Sequence, residues 1–173
     1  ELKTLISPEF RVLLYSREPL FGPLADLPQN WENRVISQPR RLWTQIGLSW
    51  EMLRRPPDLL FVPAHMLPLV LPKRSTITLH DVGFSAVPEA YSLQGRLYHE
   101  LMTRFSVRRA QAVFTVSEFS KKELLKYFGV PRGRVVVTPL ACDVAPLRRI
   151  GAREAWRMLE RYGIRKPYFL FVG

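Results

Sequence analysis

Ser75-Thr76-Ile77-Thr78-Leu79-His80-Asp81-Val82-Gly83-Phe84 is the stretch that decides how this chain is read. Thr76 to Leu79 are β-branched or apolar, the signature of a buried strand. They run straight into an imidazole beside a carboxylate, followed by a glycine and a loop. A polar pair at the carboxyl end of a buried strand is where open α/β sheets hold their ligands. The imidazole of His80 can move a proton or hydrogen-bond a hydroxyl near neutral pH. Asp81 can orient His80 or cap the following turn. Downstream, Phe114-Thr115-Val116-Ser117-Glu118-Phe119-Ser120-Lys121-Lys122 has the same grammar: a strand, a serine at its end, then a helix.

The same alternation extends outward in both directions. Arg11 to Ser16 reads as a buried strand, and Arg34 to Ser37 as a short one. From Arg40 onward Trp43, Ile46, Trp50 and Leu53 recur at helical spacing, and Pro56-Pro57 ends that helix. Asp58 to Pro63 is a short apolar strand. Leu93, Leu97, Leu101 and Phe105 define a second amphipathic helix. Ala112 to Val116 is a strand, Ser117 is placed to cap the helix 118–128, and Gly129 to end it. Val135 to Val137 is another strand. Gly151 opens a helix with Ala155, Leu159 and Tyr162 on one face, and Tyr168 to Val172 reads as the last strand. Continuously apolar strands alternating with helices predict an α/β fold, with one doubly wound parallel sheet covered on both faces.

Length and composition set bounds on this reading. With 173 residues and 47% hydrophobic content, the chain can bury a core of its own. Its single cysteine, Cys142, excludes an internal disulfide and suits a reducing, cytoplasmic setting. The apolar run 59–72 is broken by His65 and three prolines and falls short of the roughly 18 residues a membrane helix needs. The net charge of +11 comes from 26 Lys and Arg against 15 Asp and Glu. It is dispersed in pairs such as Arg54-Arg55 and Arg108-Arg109, without the basic run and interleaved aromatics that would point to nucleic acid. A solvated basic surface and peripheral contact with anionic membrane both fit it.

Several short words, in order and at natural spacing, complete the picture. They are Pro57-Asp58-Leu59-Leu60-Phe61, Leu79-His80-Asp81, Phe84 with Pro88-Glu89, Thr115 to Ser120, Tyr127 to Pro131, Pro139-Leu140-Ala141-Cys142-Asp143, and Tyr168 to Gly173. Together they resemble the amino-terminal, acceptor-side domain of the group 1, or family 4, retaining glycosyltransferases of GT-B architecture. Two words depart from the family form. The turn 139–143 lacks its usual glycine, and Val62-Pro63 follows Phe61 where many members place a histidine.

The resemblance implies that residues 1–163 are an incomplete acceptor-side domain, and 164–173 a linker with the first strand of a second, donor-binding domain. Both ends are expected to be clipped. It also implies transfer of a hexosyl group, mannosyl or glucosyl, from a nucleotide sugar to a glycan or lipid-linked acceptor. The nucleotide sugar is a co-substrate bound mainly by the second domain, and no other cofactor and no metal is implied. His80 and Asp81 are the candidate catalytic residues, and Phe84, Ser117, Glu118 and Lys121 the candidate substrate contacts. Each has a plainer reading. His80 can be a satisfied strand-end histidine, Ser117 a helix cap, and Glu118 and Lys121 part of a solvated face. Glu89 is a further carboxylate near the presumed cleft. His65 and His99 have no partner at useful spacing. Two other functions stay open: a non-catalytic basic α/β module for anionic membrane or nucleic acid, and an inactive relative acting as a partner subunit.

Overall fold

The computed structural model describes residues 2–64, 66–141 and 150–171. His65, Cys142, Asp143 and the pair Arg148-Arg149 lie outside the described residues. Packing separates two compact units, Glu1–Pro139 and Leu140–Gly173. The first unit contains α1 (Leu2–Leu5), β1 (Val12–Ser16), β2 (Trp31–Val35), α2 (Arg40–Leu42), a π-helical turn (Trp43–Leu48) and α3 (Ser49–Arg54). These are followed by β3 (Leu60–Val62), β4 (Ser75–Thr78), α4 (Gly83–Ala86), α5 (Leu93–Arg109), β5 (Ala112–Thr115), α6 (Glu118–Phe128) and β6 (Val135–Val137). The second unit holds α7 (Ala152–Arg161), which starts after Gly151 as expected.

The fold is α/β, and every strand pair is parallel. The described strands form two sheets where one was expected: a pair, β1-β2, and a four-stranded sheet in the order β3-β4-β5-β6. β2 also lies earlier than expected, because Trp31 pairs with Val12 after a turn closed by Trp31 N–H to Pro28 O. Register puts Leu60, Val62, Ser75, Ile77, Val113, Thr115 and Val135 on one face of the larger sheet, and all seven are buried. The other face carries Phe61, Phe114 and Val136. It is more open, with Phe61 47% and Val136 43% exposed. Coverage is therefore unequal on the two faces, contrary to the expectation from the unbroken apolar strands.

Parallel neighbours need long crossovers. Helices α4 and α5 supply the one between β4 and β5, and α6 the one between β5 and β6. The crossover between β3 and β4, residues 63–74, contains Pro63, Pro68 and Pro72 and cannot be helical. Side chains satisfy its backbone instead. Leu67 N–H donates to Ser106 Oγ at 3.0 Å, and Leu69 N–H to Ser49 Oγ at 2.9 Å. One ion pair ties the smaller sheet to α3, Arg34 to Glu51 at 3.0 Å, and within β2 Arg34 also donates to Glu32 at 2.9 Å. Hydrogen bonds from Arg34 and then Arg11 hold the Glu32 carboxyl below its ordinary value.

Of the two helical stripes read from the sequence, only Trp43 and Phe105 pack against the core. Among Trp43, Ile46, Trp50 and Leu53, only Trp43 packs against the core, and its indole N–H donates to Ile36 O at 3.1 Å. The buried residues are Gly47, Leu48, Ser49 and Met52. The π turn explains the change, because an i→i+5 turn holds more residues than an α turn and rotates everything after it. A β-carbon on Gly47 would stand 2.8 Å from Ile36 Cγ2, so glycine permits the close approach of this turn to the end of β2. In α5, Leu93, Leu97 and Leu101 are 71%, 58% and 66% exposed, while Met102, Thr103, Ser106 and Val107 are buried. The small polar residues let the helix lie close to the sheet and to the 63–74 crossover. Residues 168–171 form no strand, contrary to the expectation.

The corrected face of α5 predicts a contrast. Met102→Ala should cost about 2–5 kcal/mol of unfolding free energy. Leu97→Ser should change it by less than about 0.5 kcal/mol. Urea unfolding of the two variants checks this, and equal losses would restore the leucine stripe as the core face.

Candidate functional site

His80 is the second residue beyond β4. The last main-chain rung among the described residues between β4 and β5 runs from Leu79 N–H to Phe114 O at 2.8 Å, so His80 stands where the ladder stops. Its ring Nε2 lies 3.4 Å from Pro63 O, just past the end of β3. A carbonyl can only accept, so this contact requires the proton on Nε2. The His80 main chain is held from the other side, where Ser120 Oγ donates to His80 O at 2.9 Å. The ends of β3, β4 and β5 thus meet at this histidine, and His80 and Ser117 lie at one carboxyl edge of the sheet.

Asp81 is exposed, and its Oδ1 accepts the Gly83 N–H at 2.9 Å. This is the turn-capping geometry, a carboxylate holding the first amide of α4. A β-carbon on Gly83 would lie 3.0 Å from the Tyr91 hydroxyl and 3.3 Å from Asp81 Oδ1. Glycine there lets the turn close under Tyr91. Phe84 is buried. It stacks on His99 with centroids 5.4 Å apart and also meets Tyr91 and Phe128. Phe84 therefore shapes the loop from beneath, and His99 is part of its packing.

Ser117 caps α6. Its backbone is extended and its Oγ accepts the Ser120 N–H at 3.1 Å. Glu118 is exposed on the first turn. Lys121 is half-buried, and its amide donates to Ser117 O at 3.0 Å. An amino-terminal turn with a net partial positive charge suits an anion or a hydroxyl. Glu89 is exposed on a short 3₁₀ turn, Pro88–Ala90. No group of three His, Cys, Asp or Glu side chains among the described residues gathers as metal ligands.

Ser120 is a residue the sequence reading passed over. It is 7% exposed and bonds both to the cap and to His80. The signal was present as a Ser-x-x-Ser spacing at a helix start, where the fourth residue can answer the cap. A groove of about 620 Å³ lies elsewhere, against the end of β2 and the helical segment 45–53. Its lining includes Ile46, Trp50, Leu53 and Val70, and its one carboxylate, Glu51, is already paired with Arg34.

Loss of the cap gives a direct test of the local structure. Ser117→Ala should destabilise the chain by about 1 kcal/mol, the usual worth of an N-cap hydroxyl. Thermal unfolding reads it, and no change would mean that the α6 start is held by other contacts.

Comparison with known proteins identifies the family. Residues 4–145 match the model of Glycosyltransferase Family 4. Over 102 residues the chain is 31% identical to the O-antigen chain mannosyltransferase B of Escherichia coli, covering 58% of this chain and 26% of that protein. The aligned part is thus about a quarter of the length of that curated relative. A parallel α/β sheet with a histidine at its carboxyl edge, matched along most of its length by one family model, places the chain in Glycosyltransferase Family 4.

Proposed function

We propose that this chain is the acceptor-side part of a retaining glycosyltransferase that moves a hexosyl group, with mannosyl favoured, from a nucleotide sugar to a glycan or lipid-linked acceptor. The observation that carries the reading is the meeting of His80 with the amino-terminal turn of α6 at one sheet edge, in a family 4 chain. The name of the matched mannosyltransferase favours mannose. In the reaction the bond from the anomeric carbon to the donor phosphate breaks, and a bond to the acceptor oxygen forms on the same face. The acceptor proton passes to the departing phosphate oxygen, and the nucleoside diphosphate leaves.

His80 serves this reaction by hydrogen-bonding a hydroxyl of the transferred sugar. Its contact with Pro63 O, at 3.4 Å, is long enough to be exchanged for a stronger one with substrate. Asp81 stiffens the loop that follows, and Ser117, Glu118 and Lys121 border the same edge. Phe84 acts through the shape of that loop. The donor nucleotide is bound mainly by the remainder of the enzyme, so this chain by itself transfers no sugar. The setting is cytoplasmic, at the inner face of a membrane.

His80→Ala in the intact enzyme should slow turnover about 100-fold, the effect of losing roughly 3 kcal/mol of transition-state stabilisation. The unfolding free energy should move by less than about 1 kcal/mol, because the side chain lies beyond the ladder and outside the core. Turnover per folded molecule and melting temperature are measured on the same preparation. A large loss of stability with near-normal turnover would make His80 a structural residue and remove the reading.

Peripheral membrane contact follows from the charge. No helix among the described residues is long and apolar enough to cross a membrane. The net charge of +11, with Arg108 and Arg109 exposed at the end of α5, favours anionic lipid. Vesicles rich in phosphatidylglycerol should retain the protein at low salt. They should release it near physiological ionic strength, where screening acts over about 8 Å. Equal retention on neutral vesicles would exclude the electrostatic contact.

A further inference from the structure

We propose that Ser120 is a positioning residue for His80, setting the place of the imidazole through the histidine's own main chain. This rests on the reading of His80 as a substrate contact. The hydrogen bonds have only one consistent direction. His80 O is a carbonyl and cannot donate, so the Ser120 hydroxyl proton must point to it, across 2.9 Å. Ser120 Oγ then has only lone pairs left for Ser117 Oγ, 3.1 Å away, so the Ser117 hydroxyl is the donor there. Ser117 Oγ in turn accepts the Ser120 N–H at 3.1 Å. The result is a closed relay from the first turn of α6 to the residue at the end of β4, with both hydroxyl protons committed.

The place of this relay gives it a role. The β4–β5 ladder ends with the Leu79 amide, so sheet bonding does not carry on to the His80 peptide. The Ser120 hydroxyl takes over one residue further, from a side chain that is itself buried. On the opposite side the imidazole meets Pro63 O across a longer 3.4 Å. The short bond to the main chain is therefore the firmer of the two. Without it the His80 peptide can rotate, and the ring moves relative to Lys121 and the α6 amides. A displacement of this size acts on the reacting geometry, where small misplacements cost large factors in rate.

The test is a double-mutant cycle in the intact enzyme: wild type, Ser120→Ala, His80→Ala and the double variant. Rates are expressed per folded molecule, with folding followed by thermal unfolding. Ser120→Ala should lower kcat about tenfold and leave KM within about twofold, since the hydroxyl touches no substrate. In the His80→Ala background the same substitution should change kcat by less than about twofold, because its target is gone. A Ser120→Ala enzyme with wild-type kcat would overturn the proposal. So would a tenfold loss repeated in the His80→Ala background, which would mean that Ser120 supports the fold of the site in general. If His80→Ala itself turns over normally, the reading of His80 fails first and the role of Ser120 falls with it. The three failures are distinct in the data.

Discussion

Parallel pairing is the constraint from which the rest of this structure follows. Two parallel neighbours cannot be joined by a tight turn, so each strand of the β3-β4-β5-β6 sheet must be brought back by a crossover. Those crossovers are stable only where the sheet presents an apolar face for them to cover. Ile77, Val113 and Leu124 are completely buried and supply the centre of that layer. Because every strand then points the same way, all the carboxyl ends collect at one edge. A polar residue placed just past β4 therefore meets the residues just past β3 and β5. The site is a consequence of strand direction before any particular side chain is considered.

The positions of β1 and β3 to β6 and the caps of α6 were legible in the sequence because they depend on neighbours in the chain, whereas β2 and the segment 168–171 were not. Short apolar runs with β-branched residues favour strands, and Ser117 and Gly129 cap α6 with groups only a few residues away. Helix faces were not legible, for two different reasons. In the segment 40–54 the period itself changes: a π turn opposite Ile36 shifts the buried face to Leu48 and Met52. In α5 the buried face is partly polar. Thr103 and Ser106 have small side chains that allow close approach, whereas the leucines at 93, 97 and 101 only look like a core stripe. Hydrophobic periodicity assumes that the most apolar face is the buried one, and here closeness of packing outweighs it.

The site divides along the same line. His80, Asp81 and Ser117 stand out in the sequence because each sits near a strand end, and a strand end is a local feature. One partner of Asp81 is local too, the amide of Gly83, which is the turn-capping geometry. Ser120 was missed because its partner is the main chain of a residue 40 positions away. No pattern in the sequence announces a hydroxyl that bonds to a distant carbonyl. The burial of Phe84 was hidden for a similar reason, since His99, Tyr91 and Phe128 reach it from three different segments.

The way His80 is held also bears on the proposal that it contacts substrate. Within the ladder a histidine would have its main chain fixed by both neighbours and its ring buried in the core, where exposing it would disturb the packing. Two residues further on, the main chain is released from the sheet and would leave its carbonyl without a partner. A buried carbonyl in that state costs about 1–3 kcal/mol. The Ser120 hydroxyl removes that cost from outside the sheet, and it does so with the residue that already completes the α6 cap. One set of bonds thus satisfies a helix start and a strand end together. The ring itself meets Pro63 O at 3.4 Å. A main chain held independently of the ring is an arrangement in which a side chain can exchange a protein partner for a ligand without moving the scaffold that positions it.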